Sequence, residues 1–212
     1  MIIGVSGYAQ TGKDEIAKIA LDYGFERAAF ADTLREALMA LNPLIGVGVR
    51  VKDFVGLVGW EKAKRTSPEL RYLLQRMGTE AGREIFGENI WVNKTLGGLD
   101  PSKNYIITDV RYQNEAAAIR DLGGQMWRVV RPGTGPVNKH KSEVDLDGYT
   151  FDFTLKNDSD LRNLEILVNR LLRGQGFTTE RQRILAEMVQ EAESAGLYDI
   201  ETSALVSEQV TS

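Results

Sequence analysis

The sequence has no cysteine and only one histidine, His140. Without cysteine there are no disulfides and no thiolate metal sites, which suits a cytoplasmic protein. No apolar run approaches the length of a membrane span. The start, MIIGVSG, has neither a basic segment nor a long apolar one, so it does not read as a signal peptide. An excess of basic charge is also missing: 26 Lys and Arg stand against 30 Asp and Glu, a net charge of −4. That balance argues against duplex nucleic acid as a partner, although a small anionic ligand needs only a local basic cleft. Internal repeats, low-complexity tracts, an H-E-x-x-H zinc motif and a G-x-G-x-x-G dinucleotide fingerprint are absent as well.

The remaining composition is that of an ordinary globular chain of 212 residues, 42% hydrophobic and 26% charged, enough for one core and a small appendage. The charge is uneven. Residues 175–212 hold two arginines and seven acidic residues, so the first 174 are close to neutral. Short apolar runs at Ile2–Ser6, Arg27–Ala31, Tyr105–Asp109, Met126–Val130 and Phe151–Leu155 read as strands, the first and third buried on both faces. Helical periodicity separates them. It runs through Ile16, Ile19 and Ala20; through Leu34, Ala37, Leu38 and Leu41; as one long stripe from Leu70 to Ile85; over residues 114–122; and through Leu161, Leu164, Val168 and Leu171. Strands alternating with helices predict an α/β fold with a central parallel sheet of about five strands and helices on both faces. Ligands bind such sheets beyond the carboxyl ends of the strands.

The stretch GVSGYAQTGKDEIA, residues 4–17, lies where such a site would be. It has the spacing of a phosphate-binding loop, G-x-x-x-x-G-K-[ST], preceded by a strand and followed by a helix. Gly7 and Gly12 permit the close backbone approach that lets successive N–H groups cradle phosphates, and Lys13 adds a point charge. Gly7, Gln10, Thr11, Gly12, Lys13, Asp14 and Glu15 form the expected ATP-binding set. Asp14 stands where the standard loop has the hydroxyl that ligates Mg²⁺. A carboxylate can also hold Mg²⁺, directly or through water, and it equally suits the positive end of a helix dipole; both readings stay open.

Asp109 and Arg111 follow the third strand in YIITDVRYQNEA, where the phosphates should lie. Asp109 is a second candidate metal carboxylate, or else the cap of a turn. Asp32 and Arg35 sit at another strand-to-helix junction. Gln75, Thr79 and Arg83 fall at i, i+4, i+8 beside the long apolar stripe, with Gly78 and Gly82 interrupting it. His140, between Lys139 and Lys141, belongs to a loop-like segment suited to contacting anions.

Taken together, GYAQTGKDEIA, FADTLREAL, LLQRMGTEAGREIFGENIWV, ITDVRYQNEAAAI with VVRPG, and HKSEVDLDGYTFDFTLKNDSDLRNL resemble the bacteriophage-type deoxynucleoside monophosphate kinases, in that family's order and over residues 2–172. In that family Asp after the loop lysine looks like the normal spelling. The resemblance implies a P-loop kinase fold, ATP-dependent phosphorylation of deoxynucleoside monophosphates and a Mg²⁺ requirement. It implies a kinase domain over residues 1–174, with a helical substrate lobe at 33–104 and a lid at 132–150. It implies substrate contacts at Asp32, Arg35, Gln75, Arg83, Trp91, Asp109, Arg111 and Glu143, a phosphate-clamping pair in Arg111 and Arg131, and metal contacts at Asp14 and Asp109. Lys13, Arg111 and Arg131 would be the catalytic residues.

Residues 175–212 lie outside the resemblance and are expected to form an acidic helix and tail. Thr179 and Gln182 make a capping box, Gly196 is placed as the stop, and Ile184, Leu185, Met188, Val189 and Ala192 form an apolar stripe that must pack on the kinase body or on a second copy in a homodimer. Two other functions fit the loop alone: a small P-loop kinase with a different acceptor, and a nucleotide-binding regulator without turnover.

Overall fold

The structure, a computed structural model, describes residues 1–136 and 141–194. In chain order the elements are β1 (Ile2–Ser6), α1 (Lys13–Leu21), β2 (Phe25–Ala28), α2 (Phe30–Leu41), the short strands β3 (Leu44–Ile45) and β4 (Val49–Arg50), α3 (Val51–Val58), α4 (Trp60–Thr66), α5 (Pro68–Arg76), a π-helical stretch (Met77–Arg83), α6 (Glu84–Phe86), α7 (Ile90–Leu96), β5 (Asn104–Ile107), α8 (Gln113–Asp121), β6 (Gln125–Val130), α9 (Lys141–Val144), β7 (Phe153–Lys156), α10 (Leu161–Gly174) and α11 (Glu180–Ser194). Lys139, His140 and Gly196 lie outside the described residues.

The main sheet has the order β2-β5-β1-β6-β7 with every pairing parallel. β1 is central, so Ile3 and Val5 are wholly buried, as are Ile106 and Ile107 of neighbouring β5. On one face Ile16, Ala17 and Ala20 of α1 and Leu164, Val168 and Leu172 of α10 cover Ile3, Val5, Trp127 and Val129. On the other, Ala116 and Ile119 of α8 with Phe30 and Val92 cover Ile107 and Met126. A separate small core of Leu38, Ile45, Val51, Val55, Ala63 and Leu70 holds the helical lobe together. Both faces of the sheet are therefore covered by helices, as the alternating pattern requires.

Local sequence explains several boundaries. Ser67 Oγ accepts from Leu70 N at 3.1 Å and Pro68 fills the first turn of α5. Asp160 accepts from Asn163 N at 2.9 Å to start α10. The predicted capping box of the last helix is formed: Thr179 N donates to Gln182 Oε1 at 2.9 Å and Gln182 N to Thr179 Oγ1 at 3.3 Å. The apolar stripe of α11 is largely open, with Ile184 48% and Met188 61% exposed. Its anchor is instead the preceding turn, where Phe177 lies 4.9 Å from Phe25 and Glu180 N donates to Asp22 O at 3.2 Å.

Three expectations change. The second strand ends at Ala28, and α2 begins at Phe30 rather than near Leu34. The reason is tertiary: Asp109, from beyond β5, accepts from Phe30 N and Ala31 N at 2.9 Å each and caps the helix early. The long helix from Leu70 to Ile85 is broken by the π-helical stretch. A π turn advances less per residue than an α turn, so Gln75, Thr79 and Arg83 do not form one straight polar stripe. The last strand is Phe153–Lys156 rather than Phe151–Leu155.

Candidate active site

The site is built on the carboxyl ends of β1, β5, β6 and β7. Between β1 and α1 the chain takes left-handed angles at Gly12 (φ 104°) and at Gln10 (φ 64°). With φ at 104° and a Cβ falling 2.7 Å from Asn157 Nδ2, any other residue at Gly12 would be strained. Gly12 also supplies no side-chain cap to α1, which leaves the first amides of that helix facing the loop's hollow. Thr11 is buried, and its hydroxyl donates to Tyr8 O at 3.0 Å.

Lys13 Nζ curls back over the loop and donates to Gly7 O at 2.7 Å and Tyr8 O at 2.6 Å. Burial, then the nearby charge of Arg111, bring its ammonium down to about 8. Arg111 is half exposed and pairs with Glu143 at 2.8 Å. Arg131 is exposed at the end of β6 and reaches Gln10 O at 3.5 Å. The structure thus gathers Lys13, Arg111 and Arg131 around the glycine loop. A small cleft, open to solvent, lies beside them, lined among others by Gly7, Tyr8, Arg111, Arg128 and Glu143.

The acidic candidates separate. Asp14 is exposed at the start of α1, and Glu15 next to it pairs with Lys18 at 2.7 Å. Asp109 spends both oxygens on the α2 amides, which is the capping alternative for that residue; burial raises its carboxyl above the ordinary aspartate value. Among the described residues no three acidic or histidine side chains cluster as a metal site.

The lobe candidates are tied to protein groups. Asp32 is held between Arg27 at 3.0 Å and Arg35 at 2.9 Å. Arg83 donates to buried Glu115 at 2.7 Å, with its guanidinium 4.2 Å from the Tyr112 ring centre. Glu115 also accepts from Arg111 N at 2.7 Å and Tyr112 N at 3.1 Å, so it holds the backbone on which Arg111 is carried. Gln75 is exposed on α5. Trp91 packs into the π-helical stretch: its Nε1 donates to Gly78 O at 2.8 Å, and a Cβ on Gly82 would lie 2.4 Å from its ring. In this structure the indole has a packing role. Gly82→Ala is accordingly expected to destabilise the protein by about 1–3 kcal/mol through overpacking and to shift tryptophan fluorescence. Unchanged chemical denaturation and fluorescence would show that the lobe absorbs the methyl group.

Two contributors have no motif of their own. Asn157, 3% exposed just beyond β7, donates its side-chain N–H to Thr11 O at 2.9 Å and takes its backbone N–H to Val130 O at 2.8 Å, bracing the loop from behind. Arg128 projects from β6 between the rings of Tyr8 and Phe151. The only signals were a polar residue ending one strand and a charge inside another.

A parallel sheet whose central strand feeds a glycine loop, a lysine and an uncapped helix, with arginines converging from neighbouring strands, defines a P-loop phosphotransferase. Sequence comparison narrows the class. The deoxynucleotide monophosphate kinase family profile matches residues 60–168, and the chain belongs to that family. A protein of Acanthamoeba polyphaga mimivirus, provisionally described as a deoxynucleotide monophosphate kinase, is 29% identical over 182 residues, 76% of this chain and 90% of its own. The deoxynucleotide monophosphate kinases of Escherichia phage RB69 and Enterobacteria phage T4 are 30% and 32% identical over 49% and 45% of this chain. These two matches span 45% and 42% of the phage proteins.

Proposed function

We propose that the protein transfers the γ-phosphoryl group of ATP to the phosphate of a deoxynucleoside monophosphate, giving the diphosphate and ADP. The observation that carries this reading is the convergence of Lys13, Arg111 and Arg131 on the glycine loop, in a chain of this family. The acceptor is a phosphate monoester, already largely dianionic at neutral pH because its second pKa is about 6. It needs no general base. The obstacle is repulsion between two polyanions, and three cations around one loop answer it by neutralising charge and holding donor and acceptor in line.

Each residue has a part in this scheme. The loop amides and the start of α1 bind the β- and γ-phosphates. Lys13 leaves the Gly7 and Tyr8 carbonyls for the phosphate oxygens. Arg111, released from Glu143, meets the transferring group, while Arg131 steadies it from the Gln10 side. Mg²⁺ bound to ATP usually takes most of its ligands from phosphates and water, so one exposed carboxylate beside the loop is a suitable donor set, and Asp14 is that residue. When bound, the ion supplies charge neutralisation on the phosphates. Asp109 contributes as the cap that places α2 and the lobe. Residues 141–150 act as a cover over the cleft, and the protein works in the cytoplasm.

The test is ADP release measured with ATP, Mg²⁺ and each common ribo- and deoxyribonucleoside monophosphate in turn. Turnover confined to deoxynucleotides supports the proposal. Activity only with another acceptor, or ATP binding without acceptor-dependent ADP release, defeats it. Asp14→Ser restores the common loop spelling and is expected to shift the Mg²⁺ concentration for half-maximal rate several-fold. An unmoved metal titration would leave Asp14 as a helix-dipole carboxylate.

A further inference from the structure

The run Glu143-Val144-Asp145-Leu146-Asp147 places acids at alternate positions, and each is attached to a different part of the site. Glu143 pairs with Arg111 at 2.8 Å. Asp145 accepts from Gln113 N at 2.9 Å, at the start of α8, while its backbone carbonyl takes Gln113 Nε2 at 3.1 Å. Asp147 Oδ1 accepts from Arg128 at 2.9 Å and from the Tyr8 hydroxyl at 2.8 Å. Leu146 between them is 2% exposed.

These fastenings are not equivalent. Arg111 is 51% exposed and serves one carboxylate, so it can be exchanged for a phosphate. Arg128 is only 12% exposed. It reaches Ser6 Oγ at 3.3 Å and lies 4.9 Å from the Tyr8 ring centre and 5.5 Å from that of Phe151. Ser6 and Tyr8 flank the first glycine of the phosphate loop, and Arg128 is the register partner of Ser6. A planar guanidinium held by a hydroxyl, a carboxylate and two rings is preorganised and not easily exchanged.

We infer that Arg128 is a positioning residue: through Asp147 and Tyr8 it clasps the segment 141–150 to the phosphate loop, so that the cleft stays covered when Arg111 leaves Glu143 for the transferring phosphoryl group. The inference rests on the kinase reading above. The covered cleft matters because water competes with the acceptor: the γ-phosphorus–oxygen bond to ADP breaks either way, and the new bond forms to an acceptor phosphate oxygen or to water oxygen, giving inorganic phosphate.

The experiment uses the full chain with Arg128→Met, Asp147→Ala and both together, folding being checked by circular dichroism. Asp147 is a surface side chain, so its variant keeps the test open if Arg128→Met fails to fold. Inorganic phosphate released per nucleoside diphosphate formed is expected to rise about tenfold in each single variant, with a raised KM for the acceptor and a smaller change in kcat. In the Arg128→Met background, Asp147→Ala is expected to add less than about twofold, because both remove one clasp. Amide exchange across residues 141–150, read without substrates, is expected to quicken in both variants. Unchanged exchange in Asp147→Ala, an unchanged partition between acceptor and water, or effects that multiply independently would overturn the inference. A fall in kcat for Arg128→Met alone, with Asp147→Ala normal, would make Arg128 a substrate contact and overturn it too. Because exchange needs no turnover, it judges the clasp even if wild type proves inactive on nucleoside monophosphates.

Discussion

Lys13→Met is expected to lower phosphoryl transfer about 10³-fold, equivalent to roughly 4 kcal/mol of transition-state stabilisation, while leaving the fold intact. Lys13 is held by two loop carbonyls and not by the core, so its loss removes charge from the ligand and little from the packing. Its proton makes a second readout. In the ligand-free protein the ammonium sits at about 8 instead of 10.5. Between those values the native state holds fewer protons than the unfolded chain, so stability rises with pH through that window, and below it the charged lysine weighs against folding. Lys13→Met should therefore be at least as stable as wild type at pH 7. A bound triphosphate reverses the shift by surrounding the ammonium with negative charge, so ATP binding near pH 8 should take up about half a proton. Titration calorimetry in two buffers of different ionisation enthalpy measures this directly. Heats that do not depend on buffer at pH 8 would mean that Lys13 stays on its carbonyls, and near-normal turnover in Lys13→Met would remove it from the mechanism.

Arg111→Ala is expected to reduce kcat about 10²- to 10³-fold, with a much smaller change in KM for ATP, because in the proposed mechanism its charge meets the group in flight. Its placement supports this. Glu115 fixes the Arg111 backbone from a buried position, while the side chain stays half exposed and reaches across to Glu143. The backbone is anchored, and the half-exposed guanidinium has one carboxylate partner to exchange. Arg111→Lys keeps the charge and loses the fork, so it should recover part of kcat but not all of it. A variant that raises KM for ATP at unchanged kcat would make Arg111 a ground-state contact.

Some of this was legible without coordinates. The nearly continuous apolar character of β1 and β5 marks strands covered on both sides, because a strand with one face in water would alternate polar and apolar residues. The glycine loop is also local, since its glycines, lysine and helix start lie within seven residues and the left-handed angle at Gly12 suits its residue type, although the one at Gln10 does not. The Thr179–Gln182 capping box and the stripe of α10 follow from contacts three or four residues apart.

The remainder depended on residues far apart in the chain, and periodicity carries no information about those. The start of α2 is set by Asp109, 79 residues from Phe30, so no local cap marks it. The break in the long helix follows from Trp91 wedging against Gly82 and bonding Gly78, which a pattern of apolar spacings reads as a continuous stripe. Arg83, an exposed-looking helical charge in the sequence, is bound to Glu115, 32 residues away, and so serves the Arg111 loop. Asn157 braces Thr11 across 146 residues, and Arg128 reaches Ser6 across 122. Sequence alone marks the segment proposed to bind phosphate, because that chemistry is written in a short run of backbone and one lysine. Tertiary structure alone decides which side chains hold that segment in place, because a parallel sheet brings the ends of distant strands together at one edge.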